Sequence, residues 1–271
     1  MILAWVKFTS LSGSIAQFVW STAIIVGAFY AVLGARDHPL SSRRAYSLVV
    51  VALIGAFIGG LLLGFVDYNY WDYGWDLLAR GKSFCGCLAG GAVAAVAFLR
   101  WKRLSVARYG DVLVTALALA YAIGRIGCFF NGCDFGVRTD LPWGVQYPPG
   151  TEAYVDHFSR GWIALGAASS LPVHPVQLYA AAAGLVMFLV LVRRKPSWPG
   201  QRIWLFAILY GIYRFCIEWL RGDFRVLVGP FSLPQVVGIF LIAGALTVSC
   251  WRWRKETLRK DLLDSYPARV V

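Results

Sequence analysis

Three short polar segments stand out in an otherwise apolar chain, and their residue types could bind an anion. The first is Gly124-Arg125-Ile126-Gly127-Cys128-Phe129-Phe130-Asn131-Gly132-Cys133-Asp134-Phe135-Gly136, which follows the apolar run Val112 to Ile123 directly. The second is His174-Pro175-Val176-Gln177-Leu178-Tyr179, and the third runs from Arg214 through Glu218 and Arg221 to Asp223. A guanidinium carried into a bilayer costs about 2.5–3.5 kcal/mol on insertion scales, so it normally serves a partner or a ligand. Arg214 and Glu218 are spaced i,i+4 and Glu218 and Arg221 i,i+3, so each pair shares a helix face. Counted against Glu218 alone, Arg125, Arg214 and Arg221 leave surplus positive charge. A phosphate is the matching anion, because the guanidinium fork meets two phosphate oxygens at once. At membrane depth such a phosphate belongs to a lipid headgroup. The competing reading is structural: Arg214–Glu218 as an internal ion pair, Arg125 capping loop carbonyls, and Pro175 at a helical first turn.

The elements that must position these groups are membrane helices. Of 271 residues, 59% are hydrophobic and 15% charged, and the mean hydropathy is +0.62. Soluble domains run nearer about 25% charged, so a polytopic membrane protein is expected. The net charge of +12 sits in short segments between apolar runs, which points to anionic lipid rather than nucleic acid. Runs near 20 residues cross about 30 Å of hydrocarbon. Seven are expected, at Ile15–Ala35, Leu48–Val66, Phe84–Leu99, Val112–Phe130, Pro175–Val192, Ile203–Leu220 and Pro234–Trp251. Gly90 and Gly91 in the third, and Gly55, Gly59, Gly60 and Gly64 in the second, form small-residue faces for close packing.

Basic residues follow spans one, three, five and seven, among them Arg43, Arg100, Arg193 and Arg252. Every second loop is therefore assigned to the cytoplasm, with the N-terminus outside and the C-terminus cytoplasmic. The outer connections are the aromatic stretch Tyr68 to Trp75 and the long segment 131–173, expected as a small extracytoplasmic cap between spans four and five. The whole chain, 1–271, reads as a single polytopic membrane domain. No cleavable leader is expected, since no basic n-region with a cleavage site precedes the first apolar run.

The order Gly124-Arg125-Ile126-Gly127, Asn131, Gly136, then Pro142-Trp143-Gly144-Val145, His174 to Tyr179, and Arg214-Phe215 with Glu218 and Arg221 resembles the prolipoprotein diacylglyceryl transferase family. Gly81 to Gly86 looks like that family's segment opening span three. The resemblance implies a multi-pass enzyme of the bacterial plasma (inner) membrane. Its partners would be phosphatidylglycerol, surrounding membrane lipids, and a prolipoprotein signal peptide with its lipobox cysteine; no cofactor, metal or nucleic acid is implied. Arg125, Arg214, Glu218 and His174 would be the catalytic set. Arg125, Asn131, Gly136, Tyr179 and Arg221 would bind the phospholipid. A diverged paralogue with another acceptor, and a non-catalytic phospholipid-binding protein, are the alternatives.

The chain departs from the family pattern at several positions. Cys85 stands where a histidine is usual, Cys128 for asparagine, Cys133 for glutamate, Ala180 for glutamate, and Ser21 for tyrosine. A thiol acceptor needs a base, because a free cysteine is mostly protonated at neutral pH. His174 and Asp134 are the candidates. For the cysteines, a disulfide between the Cys85/Cys87 region and Cys133 stands beside a role as small hydrophobes. Their spacing fits no common zinc site.

Overall fold

The computed structural model describes residues 12–36, 42–67, 84–223 and 227–265. The aromatic stretch at 68–75 and the segment 81–83 lie outside the described residues, as does the Cys85 side chain. The chain is helical: α1 (Ser12–Arg36), α2 (Ser42–Asp67), α3 (Phe84–Trp101), α4 (Val106–Asn131), α5 (Glu152–Ser159), α6 (Val176–Arg193), α7 (Gln201–Ile217) and α8 (Leu233–Ser265). A 3₁₀ turn, Glu218–Leu220, extends α7. The two-residue strands β1 (Leu227–Val228) and β2 (Phe231–Ser232) pair antiparallel ahead of α8.

Six of these helices are long and apolar enough to cross a membrane: α1, α2, α4, α6, α7 and α8. The expected third span is the shorter apolar helix α3, 18 residues or about 27 Å at 1.5 Å per residue, at the lower limit for a crossing. In lipid an α-helix satisfies every backbone group internally, which is why apolar runs of this length become helices. Three helices outrun their apolar stretches, α2 starting at Ser42, six residues before Leu48. α4 begins six residues before Val112, and α8 continues past Trp251 through its basic turns to Ser265.

The chain divides into two compact units, Gly27–Ala116 and Met1–Val26 with Leu117–Val271. In the first, α2 and α3 pack backbone to backbone. A Cβ on Gly59 would stand 2.3 Å from the Gly86 carbonyl oxygen, and one on Gly90 would stand 2.2 Å from that of Gly55. The small-residue faces read from the sequence are thus the contact itself. Leu48, Leu99, Phe98 and Tyr109 fill the adjoining core.

The second unit holds the three polar segments. Met187, Leu191 and Ala118 form one apolar centre against Phe206 and Tyr210. Between α4 and α6, residues 132–175 build a small subdomain around Phe129, Phe135, Val145, Tyr147 and Val173. Its buried His157 accepts the Leu171 N–H at Nδ1 (3.1 Å) and lies between the rings of Phe135 and Trp162. Burial holds His157 below its ordinary pKa, which suits a neutral ring with an acceptor nitrogen.

Candidate functional site

Asp134 is the centre of the polar cluster. Gly132, at φ +74°, ends α4 with its N–H on the Cys128 carbonyl (2.9 Å). Asp134 follows at φ +56°, a left-handed conformation that a short polar side chain tolerates best among non-glycine residues. This double reversal returns the carboxylate to the helix it has just left. Arg125 Nη1 donates to Asp134 Oδ2 at 2.8 Å, and Arg221 Nη2 donates to Oδ1 at 2.6 Å. Arg221 is also paired with Asp223, its Nε donating to Oδ1 at 2.8 Å. The Asp134 N–H donates to Glu152 Oε2 at the start of α5 (3.1 Å). Burial alone would raise the Asp134 carboxyl, but the Arg125 and Arg221 guanidiniums outweigh it and hold it at about 2.

The third arginine is placed from α7. Arg214 Nη2 lies 3.2 Å from Oε2 of Glu218, a carboxylate only 1% exposed. Tyr213, one residue earlier, shares a hydrogen bond between hydroxyls with Tyr121 (2.9 Å). The Arg125 guanidinium stands 4.9 Å over the Tyr121 ring. The tyrosine pair therefore ties the α4 turn carrying Arg125 to the α7 turn carrying Arg214. Trp20 of α1 adds a support from the other side: its Nε1 donates to the Gly124 carbonyl at 3.1 Å, and its ring fills the space above Gly127.

Gly136 joins the second and third segments. It bridges to Arg221, while Val137 N–H donates to Leu220 O (2.8 Å) and His174 N–H to Val137 O (3.0 Å). A Cβ on Gly136 would meet the His174 carbonyl oxygen at 2.4 Å and its Cβ at 2.7 Å. Only a glycine lets the three strands of backbone close here.

Beside this junction Trp143 Nε1 donates to the Tyr179 hydroxyl (2.8 Å), and that hydroxyl lies 3.3 Å from His174 Nδ1. The indole can only donate, so Tyr179 accepts there, and its own proton points to His174 Nδ1 when the ring carries its proton on Nε2.

Several sequence expectations change. The surplus of positive charge does not exist in this state: Arg125, Arg214 and Arg221 are met by Asp134, Asp223 and Glu218. Asp134, considered above only as a base, is a clamp between two cations, and so tightly held a carboxylate accepts protons poorly. Asn131 lies exposed at the end of α4. Cys133 is a free thiol. The sequence reading also missed Tyr121, Tyr213 and Glu152. Tyr121 carried a signal, since it lies one turn before Arg125 on the same face.

Fold and site define a helical multi-pass membrane protein with an arginine–carboxylate cluster where its spans meet a small polar subdomain. Residues 17–251 match the family described as prolipoprotein diacylglyceryl transferase. A phosphatidylglycerol–prolipoprotein diacylglyceryl transferase of Clostridium tetani is 33% identical over 248 residues, covering 88% of this chain and 94% of that protein. The transferases of the same name from Geobacter sulfurreducens and Thermosynechococcus vestitus are each 30% identical, over 86% and 82% of this chain and 90% and 82% of their own. The chain belongs to the prolipoprotein diacylglyceryl transferase family.

Proposed function

We propose that this protein transfers the diacylglyceryl group of phosphatidylglycerol to the lipobox cysteine thiol of a prolipoprotein in the bacterial inner membrane. The observation that carries the reading is the Asp134 carboxylate held between Arg125 and Arg221. Its two oxygens occupy the kind of two-pronged cationic seat that the free oxygens of a phosphodiester fit. Arg214, oriented by buried Glu218, supplies a third guanidinium in the same unit. The basic loops support an outer-face position for the subdomain 132–175, from which headgroup and signal peptide would enter by the outer leaflet.

These placements support a displacement at carbon. The acceptor thiol attacks the headgroup-linked carbon of the diacylglyceryl unit. The carbon–sulfur bond forms, the carbon–oxygen bond to phosphate breaks, and glycerol phosphate leaves with the electron pair. Arg125 and Arg214 stabilise the charge growing on the departing phosphate, which is the largest contribution such a site makes. The thiol proton passes to the Tyr179–His174 pair: the phenol gives its proton to Nδ1 and takes the thiol proton in exchange. Asp134 releases its arginines to the phosphate as the lipid seats.

The test uses purified protein in phosphatidylglycerol vesicles with a lipobox peptide and mass spectrometry of the product. A thioether-linked diacylglyceryl adduct, lost in Arg125→Ala, is expected. A lipid that binds tightly while no peptide is modified would instead establish a non-catalytic phospholipid-binding protein.

A further inference from the structure

We infer that Cys128 and Cys133 are an oxidisable dithiol, a site of disulfide formation whose closure disturbs the arginine clamp. The two Sγ atoms and an Asp134 carboxylate oxygen all lie within 4.8 Å of one another. Cys133 Sγ also lies 3.9 Å from the Cys128 carbonyl oxygen. Both are partly exposed, so a small oxidant reaches them. The left-handed turn at Gly132 is what folds Cys133 back onto the last turn of α4.

The same three side chains carry the donor atoms of a soft-metal site. Asp134 is already engaged at both oxygens by guanidiniums 2.8 and 2.6 Å away, and a metal cation would be repelled by both. A covalent link between the thiols meets no such opposition, because it removes no charge partner from the arginines.

The reaction balances with a low-molecular-weight disulfide as oxidant. The oxidant's sulfur–sulfur bond breaks, the Cys128–Cys133 bond forms, and the two protein thiols pass two protons and two electrons to the departing thiols. A disulfide needs a sulfur separation of about 2.05 Å, so the pair must draw together. Cys128 lies one turn after Arg125 on the same helix face. Cys133 immediately precedes Asp134, and its carbonyl accepts Gln177 Nε2 at 2.8 Å. Closure therefore pulls on both sides of the Arg125–Asp134 contact.

The experiment treats the full-length protein in phosphatidylglycerol vesicles with 2-hydroxyethyl disulfide, then N-ethylmaleimide, then trypsin. Cleavage after Arg125 and Arg138 places both cysteines on one peptide, 126–138. The expected peptide is unlabelled and two hydrogens lighter, and it takes two maleimides after dithiothreitol. Two maleimides after oxidation, or a mercaptoethanol adduct on each thiol, would overturn the site. In parallel, lipid transfer is expected to fall several-fold on oxidation and recover with dithiothreitol, while Cys133→Ser is insensitive to the oxidant. Full closure with unchanged transfer would overturn the coupling to the clamp. The labelling result stands apart from the transferase reading, since it needs no turnover.

Discussion

Arg221 donates to Asp134 at 2.6 Å across 87 residues of sequence, closing the third polar segment onto the first. The contact pins the end of α7 to the loop that follows α4, and it gives the Arg221 guanidinium a second carboxylate beside Asp223. Replacing the carboxylate by an amide removes the anion between Arg125 and Arg221 and leaves Arg221 with Asp223. Asp134→Asn is expected to lose about 1–3 kcal/mol of stability, a partly exposed position softening the full penalty of an orphaned charge. Thermal unfolding in detergent measures it. The same variant should bind phosphatidylglycerol more tightly, because the lipid no longer displaces a competing anion; weaker binding would contradict the placeholder role.

The pH dependence has a definite sign. The Asp134 carboxyl is held at about 2, below its ordinary 3.8. A depressed carboxyl contributes stability that is fully present above the ordinary value and is lost as pH falls through the depressed one. The melting temperature of the parent should therefore fall more steeply than that of Asp134→Asn between about pH 4 and pH 2. Parallel curves would remove Asp134 from the account of acid sensitivity.

Gly136→Ala tests the junction of the three segments. Its Cβ would meet backbone of His174 at 2.4 Å and Val176 Cγ1 at 2.9 Å, and a carbonyl oxygen cannot rotate away. Overpacking of this kind costs about 1–3 kcal/mol. Transfer should fall further than stability does, since the shift separates His174 from Arg221. Thermal denaturation and a transfer assay on one preparation distinguish the two effects.

Tyr121→Phe removes the hydroxyl bridge to Tyr213 while keeping the ring beneath Arg125. A net stability loss of about 0.5–1.5 kcal/mol is expected for one hydrogen bond. The more telling readout is the split between kcat and KM for phosphatidylglycerol. Loosening of α4 against α7 should lower kcat several-fold with little change in KM.

Tyr179→Phe deprives Trp143 of its acceptor and His174 of its hydroxyl partner. General acid–base groups contribute about 10²–10⁴ in rate, so a loss in that range is expected with phosphatidylglycerol affinity retained. His174→Ala should resemble it, and the double variant should be little worse than either single one. Additive losses would show that the two residues do not act as one relay.

Much of this architecture could be read from the residues alone. Apolar length gives the spans because a bilayer leaves the backbone no other partner. The glycines of α2 and α3 announce a close contact because nothing else explains small residues at one-turn spacing there. Arg214 and Glu218 declare their pairing through i,i+4 spacing. The Asp134 clamp is a different matter. It depends on a positive φ at a non-glycine residue and on a partner 87 residues away, and neither leaves a periodic trace. Cys128 and Cys133 are five apart, which in a continuous helix would place them on different turns. Only the left-handed turn at Gly132 brings them together, so their proximity belongs to tertiary structure. The relay through Trp143 likewise joins a loop residue to α6.

The central claim is that an arginine-held phosphodiester surrenders its diacylglyceryl group to a thiol. The most direct measurement quantifies glycerol phosphate release and diacylglyceryl-peptide formation in one reaction. The vesicles contain phosphatidylglycerol, a lipobox peptide is supplied, and Arg125→Ala and Arg214→Ala run alongside. The account predicts equal amounts of the two products from the parent and neither from the variants. Glycerol phosphate without adduct would mean that water, not a thiol, is the acceptor, and no product of either kind from the parent would contradict the account outright.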